Sequence, residues 1–271
     1  MTNAVDTRLK LEADLRRALE RSEFVLQYQP LISLDQDRIV GVEALVRWRS
    51  PDGMIPPLHF IQVAEETGMI IPLGKWVLRE ACQRMKAWRA AGLELDVIAV
   101  NLSPVQFNRA DLCESVSTIL AETGLAPKYL ELEITESALM EQGSEAEAKL
   151  RILKALGLRL AIDDFGTGHS SLAYLKRFPI DKLKIDRAFI TDIPSDTTSM
   201  EITAAVIRLA HSLKVKALAE GIETKAQADF LALYGCDLAQ GFHFDKPLWE
   251  EELIERLGGL QRSRLAEQGN A

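Results

Sequence analysis

The sequence predicts an α/β protein, a (β/α)8 TIM-like barrel with an antiparallel first hairpin. Three observations carry this reading. Eight short apolar runs occur along the chain, and the later ones are separated by helix-length amphipathic segments. The first two runs are joined only by Asp35-Gln36-Asp37, too short for the crossover that parallel neighbours need. Polar groups recur at the ends of the runs, where barrels of this kind build their sites.

Residues 1–7 are polar and expected to be loose. Leu9 to Arg21 reads as an amphipathic helix, with Leu11, Leu15, Ala18 and Leu19 on one side. Phe24 to Gln29 is a strand, stopped by Pro30 or continuing to Leu34, and Ile39 to Trp48 is its hairpin partner. Pro57 to Glu66 and Leu73 to Ala91 are helices closed by Gly68 and Gly92. Val97 to Asn101 is a strand, Leu112 to Glu122 a helix ended by Gly124, and Tyr129 to Ile134 the next strand. Glu145 to Leu156 is a helix followed by Gly157, and Leu158 to Ile162 a strand. Asp181 to Ile185 is a strand, and Ser199 to Leu213 a helix with Ile202, Ala205, Val206 and Leu209 on one face. Val215 to Ala219 and Cys236 to Ala239 are strands on either side of a helix from Lys225 to Tyr234. Glu250 to Leu257 is the last helix, and the polar tail from Gly258 is expected to fray.

Composition narrows the function classes. The 271 residues are 47% hydrophobic and 27% charged, as in ordinary soluble globular proteins. The formal net charge of -8 argues against unspecific binding to DNA, RNA or anionic membrane. An anionic substrate would need a local cation to be held. Cys82, Cys113 and Cys236 lie far apart and form no C-x-x-C pair, which reads as a reduced, cytoplasmic protein. No apolar run approaches the length of a membrane span, and the first residues do not read as a signal peptide.

The chemistry is concentrated between Leu158 and Leu172. A short apolar strand ends in two adjacent carboxylates, Asp163 and Asp164. The turn Phe165-Gly166-Thr167-Gly168 follows, and Ser170-Ser171 opens a helix. Neighbouring side chains on a strand point to opposite faces, so the two carboxylates converge only where the strand is ending. Two carboxylates that close repel each other unless a proton or a cation sits between them, and hard oxygen ligands suit magnesium or manganese. Taken alone, such a stretch is an ordinary turn with an aspartate cap. Its company changes that. Strand one ends near Gln29, and strand two carries Glu43 and Arg47. Asn101 ends the third and Glu133 lies on the fourth. Asp163 and Asp164 belong to the fifth and Lys184 to the sixth. Glu220 and Glu223 follow the seventh, and Gln240 the eighth. Each alone has a structural explanation, but together they form an acidic ring that is costly without metal.

Glu43-Ala44-Leu45-Val46-Arg47-Trp48 resembles the signature of the EAL family, bacterial phosphodiesterases that degrade cyclic di-GMP. Asn101-Leu102-Ser103, Glu133-Ile134-Thr135-Glu136, Asp163 to Gly168, Lys184-Ile185-Asp186, Ala219 to Glu223 and Gln240-Gly241 resemble further family motifs, in family order. The resemblance implies a barrel with one reversed strand and hydrolysis of cyclic di-GMP to linear pGpG. It implies that Glu43, Asn101, Glu133 and Asp163 hold one divalent cation, Mg2+ or Mn2+. Asp163 would bridge to a second, held also by Asp164 and Glu220. Lys184 would lie beside the hydrolytic water, with Glu220 as general base. Gln29 and Arg47 would contact substrate, and Glu223 and Gln240 would complete the pocket wall. Ca2+ is expected to inhibit, because it accepts looser geometry.

Glu136 has two readings: a cap for the following helix, or, by resemblance, an anchor for the Asp163–Ser171 loop. His59, His169, His211 and His243 show no zinc spacing and read as non-catalytic. Trp48, Trp76, Trp88 and Trp249 read as core or interface. Family members usually have tyrosine at His169 and often at Phe242, which bears on the loop and on a homodimer contact near it. The resemblance divides the chain into an N-terminal linker and helix at 1–22, the barrel at 23–257 and a tail at 258–271. The first helix resembles one that joins such domains to upstream sensory or cyclase domains. The alternative function is a catalytically silent cyclic di-GMP receptor. An unrelated phosphodiester hydrolase is disfavoured by the Arg47 and Gln240 matches.

Overall fold

The hairpin that the short polar link demands is the seam of the barrel. In the computed structural model, which describes residues 2–51, 53–166 and 175–268, β1 (Phe24–Ser33) pairs antiparallel with β2 (Arg38–Ser50). The register runs from Phe24 opposite Trp48, through Gln29 opposite Glu43, to Ser33 opposite Arg38. The remaining barrel strands are β4 (Val97–Leu102), β5 (Leu130–Thr135), β6 (Arg159–Phe165), β7 (Lys182–Ile185), β8 (Lys216–Ala219) and β9 (Leu238–Ala239). They follow β2 in parallel, each beside the next. β9 closes on β1 antiparallel, through Ile32 opposite Ala239 and Ser33 opposite Leu238. Among the described strands of the barrel, β1 alone runs reversed.

Two hydrophobic clusters hold this arrangement. The larger lies between the barrel and its helices. The helix Ile70–Ala90 turns Leu73, Val77, Ala81, Met85 and Trp88 inward, at the spacing of one helical face. Phe24, Trp48 and Phe60 stack under the hairpin with ring centroids 5.7 Å apart. The smaller cluster joins Leu31, Val40, Val97, Leu218 and Leu238. Four of these share strand parity with Gln29, Asn101, Glu220 and Gln240, so they fill the lumen beneath those polar residues. Helix starts follow local chemistry. The Asp196 side chain accepts from Ser199 N–H, and Thr224 and Gln227 form a reciprocal capping box.

Several elements differ from expectation. Pro30 does not stop β1. Tyr28 N–H donates away from β2, to Leu248 O at 2.8 Å. The N–H that Pro30 lacks would point the same way, and pairing with β9 begins only at Ile32, so no ladder bond is lost. A three-residue strand, β3 (Gly53–Ile55), pairs with the outer end of β2, beyond the last residue that pairs with β4. The first helix begins at Thr2 rather than near Leu9. The last continues from Glu250 through Gly258 and Gly259 to Gln268, where fraying was expected. Glycine costs a helix only about 1 kcal/mol relative to alanine, and Gln, Arg, Leu, Ala and Glu beyond it are good helix formers. No helix among the described residues is long and apolar enough to cross a membrane.

Candidate functional site

Strand parity brings the acidic ring together. Glu43 on β2, Asn101 on β4, Glu133 on β5, Asp163 on β6 and Lys184 on β7 all lie on the faces that point into the barrel. Asn101 stands opposite Glu133. Glu220 and Gln240 immediately follow β8 and β9. Gln29 joins from the reversed strand. It lies in the middle of β1 rather than at its end, because the hairpin extends past the barrel mouth and β2 pairs with β4 only as far as Ala44.

Lys184 is the centre. Its ammonium donates to Glu133 Oε2 at 2.6 Å, and lies 2.8 Å from Glu220 Oε1 and 3.1 Å from Asp163 Oδ1. Glu43 is held by two amides: Asn101 Nδ2 donates to Oε1 at 2.5 Å and Gln240 Nε2 to Oε2 at 2.7 Å. Gln240 Nε2 also lies 3.1 Å from Gln29 Oε1. Glu133, Glu43, Asp163 and Lys184 are all buried.

Asp163 and Asp164 meet by a different route from the expected one. β6 does not end at them but runs on to Phe165. The pairing of β6 with β7 slips between Ile162 and Phe165, and Asp164 adopts a φ of 54°, in the left-handed region that non-glycine residues rarely enter. That local twist turns two neighbouring side chains toward one side. One oxygen each of Asp163, Asp164 and Glu220 then lie within 4.8 Å of one another. Asp164 N–H donates to Asp163 Oδ1 at 2.9 Å.

Burial and like charge raise the carboxyls. Burial pushes Glu133 well above the carboxylate range; Lys184 opposes this, and Glu43 and Asp163 add to it. Glu220 is pushed up to about 7 by burial, opposed by Lys184 and reinforced by Asp163 and Glu43. Asp164 rises to about 6 through burial, then through Asp163 and Asp186. Burial works against the charge of Lys184, but Glu133, Glu220, Glu43 and Asp163 outweigh it and hold it protonated.

The donor set fits divalent cations. Glu43, Glu133, Asp163, Asp164 and Glu220 surround a single lysine, and two divalent ions would cancel the excess negative charge of their ionised forms. Glu133 Oε1 is buried without a hydrogen-bond partner. These are hard oxygen donors of the kind that magnesium and manganese take.

A cleft of about 360 Å³ opens over this ring, lined by Gln29, Glu43, Asp164, Glu220, Glu223 and Gln240. Arg47 and Asn101 line an adjoining, more apolar cleft, separated from the first by Leu45. Arg47 Nε donates to Gln27 Oε1 at 2.7 Å and its Nη1 to Val46 O at 3.0 Å. Two residues in the first cleft were not expected, Asp186 and Arg187. Asp186 lies two positions beyond Lys184, so strand parity alone would have directed attention to it. His59, His211 and His243 line neither cleft, and Trp48 and Trp88 are buried in the core. Glu136 Oε2 accepts Gly166 N–H at 2.9 Å, at the start of the loop after β6. The rest of that loop, with Thr167, Gly168, His169, Ser170 and Ser171, lies outside the described residues.

The sequence model of the EAL domain matches residues 12–247. The bifunctional diguanylate cyclase/cyclic di-GMP phosphodiesterase MucR of Pseudomonas aeruginosa is 45% identical over 247 residues, covering 91% of this chain and 36% of MucR. The cyclic di-GMP phosphodiesterase NbdA of the same species is 46% identical over 241 residues, 89% of this chain and 31% of NbdA. The chain spans about a third of the length of the curated relatives it matches. The solved structure of the MucR phosphodiesterase in complex with c-di-GMP gives a TM-score of 0.87 at 45% identity, covering 90% of this chain and 99% of that one.

The raised carboxyls set a sign for metal binding. Below about 6 for Asp164 and about 7 for Glu220 these groups carry protons that a cation must displace. The apparent affinity for Mn2+ should therefore rise as pH increases through that window. Calorimetry in two buffers of different ionisation enthalpy should detect proton release in the window. A pH-independent affinity would show that these carboxyls do not meet the cation.

Proposed function

This chain belongs to the EAL domain family, and on that premise we propose that it hydrolyses cyclic di-GMP to linear pGpG in a divalent-metal-dependent reaction. The observation that carries the reading is the intact set of Glu43, Asn101, Glu133, Asp163, Asp164 and Glu220 around Lys184, at the mouth of the barrel. The 45% identity to the MucR phosphodiesterase solved with c-di-GMP supports the substrate.

Glu43, Asn101, Glu133 and Asp163 would hold one cation, and Asp163, Asp164 and Glu220 a second. When bound, the pair would neutralise phosphodiester charge and make a water more acidic. Because Asn101 directs its amide nitrogen at Glu43, its oxygen is the atom left to serve as a ligand. Glu220 would accept the proton of the attacking water, the role of a positioned carboxylate in general-base catalysis. Lys184, kept charged by its carboxylates, would donate a hydrogen bond to the water or to a phosphate oxygen. The water oxygen forms the new bond to phosphorus, the bond from phosphorus to the 3′ oxygen breaks, and that oxygen takes a proton from solvent to leave as a hydroxyl. Gln29, Glu223 and Gln240 would wall the ligand, and Arg47 would meet it from the adjoining cleft.

Mg2+ or Mn2+ is the proposed metal, with Ca2+ inhibitory, because the in-line reaction favours the tighter geometry. A cytoplasmic setting is proposed from the free thiols of Cys82, Cys113 and Cys236. Upstream sensory or cyclase domains in a longer native chain are proposed from the share of its relatives that this chain spans. The proposed homodimer would pair near the loop after β6; light scattering that shows a monomer at every concentration would refute it.

Incubation with cyclic di-GMP followed by product chromatography tests the main reading. We expect pGpG with Mg2+ or Mn2+ and none in EDTA or Ca2+. Glu220→Gln should lower turnover by at least ~100-fold, the lower end of a positioned base's contribution, while binding measured in Ca2+ persists. Wild-type protein that binds the dinucleotide yet never yields pGpG would establish the receptor alternative. Turnover in Glu220→Gln equal to wild type would remove Glu220 from its role.

Glu136→Ala separates the two readings of that residue. If the Gly166 contact anchors the loop, turnover should fall and metal or substrate binding weaken in a folded barrel. A helix cap alone is worth ~1 kcal/mol of stability. Lower melting temperature with unchanged turnover would favour the cap.

A further inference from the structure

Two lysine–glutamate pairs stand one above the other in the lumen. Lys184 meets Glu133 at 2.6 Å, and one layer below Lys182 meets Glu131 at 2.5 Å. The lower pair is buried too, with Lys182 4% and Glu131 1% exposed at the side chain, and it borders a cavity of about 560 Å³ at the foot of the barrel. Both pairs cross β6 with the same offset, each lysine meeting the glutamate that the stagger of the closed barrel brings to its height. Glu133 on β5 stands opposite Ala161 on β6, and Ala161 stands opposite Lys182 on β7. Glu133 is nonetheless the carboxylate in backbone register with Lys182, two strand spacings or about 10 Å of backbone away. The methyl of Ala161 leaves the space between them open to two long side chains. Lys182 slants down to Glu131 instead.

A buried ammonium takes whatever carboxylate it can reach, because leaving it unpaired is costly. The second oxygen of Glu133, on the strand position in register with Lys182, is buried without a partner. We propose that Glu131 is a positioning residue: by holding Lys182 it keeps that lysine off Glu133, and so keeps Glu133 Oε1 open to a divalent cation. The inference rests on the reading of Glu133 as a cation ligand. It assigns the lower pair a task that bulk stability does not require, since a buried ion pair can be replaced by apolar residues of similar volume with little loss of stability.

Mn2+ titration followed by electron paramagnetic resonance tests it. Glu131→Gln should weaken Mn2+ binding by ~10-fold or more, the range typical of residues that orient metal ligands. Lys182→Met should bind no more weakly than wild type. The double variant Glu131→Leu with Lys182→Met should return to wild-type affinity. A crystal structure of Glu131→Gln should show Lys182 Nζ on Glu133. If Lys182→Met or the double variant binds as weakly as Glu131→Gln, or if Lys182 stays away from Glu133, the pair only supports the lumen and the inference falls. Should the glutamine variant fail to fold, Glu131→Asp, with charge kept and reach shortened, should weaken Mn2+ binding in the same direction; unchanged affinity there overturns the inference. Wild-type protein that binds no Mn2+ refutes the cation reading of Glu133 itself, and this inference with it.

Discussion

The closed lumen has to accommodate a buried ammonium. Lys184 is 1% exposed and meets Glu133, Asp163 and Glu220 within 3.1 Å. A charge in that position is tolerable only when paired, because desolvation would otherwise cost several kcal/mol. Its partners come from β5, from β6 and from the residue after β8, so the pairing fixes the relative height of those strands. Glu43 is tied to the same ring from the other side through Asn101 and Gln240. Leu31, Val97, Leu218 and Leu238 pack below it, in the same lumen as the buried Lys182–Glu131 pair.

The same constraint explains a local cost. Five acidic side chains around one lysine repel each other, and the backbone at Asp164 adds strain by entering the left-handed region. Neither feature helps a bare barrel fold. Both place oxygens of Asp163, Asp164 and Glu220 close enough to share a cation, so local stability is given up for the proposed chemistry. Glu136 extends this logic outward, since its contact with Gly166 fixes the start of the loop that leaves the strained aspartate.

Much of this was legible in the chain. The three-residue link forced the hairpin, and apolar runs alternating with amphipathic helices gave the barrel. Strand parity then carried Glu43, Asn101, Glu133, Asp163 and Lys184 to one lumen. What escaped depends on tertiary context. Pro30 reads as a strand breaker, yet its missing N–H falls where β1 has no neighbour to bond. The turn at Asp164 is not encoded by a glycine, so its positive φ leaves no local signal. Glu131 and Lys182 drew no reading, because each lies at or next to the start of its strand, away from the C-terminal ends where the site was sought.

Anomalous diffraction from crystals grown with Mn2+ tests the central claim most directly, that this carboxylate ring is built for divalent cations. The account predicts two anomalous peaks, one among Glu43, Asn101, Glu133 and Asp163 and one among Asp163, Asp164 and Glu220, with Lys184 still beside Glu220. Saturating Mn2+ that leaves no anomalous density at these residues, with Lys184 alone balancing them, would contradict it.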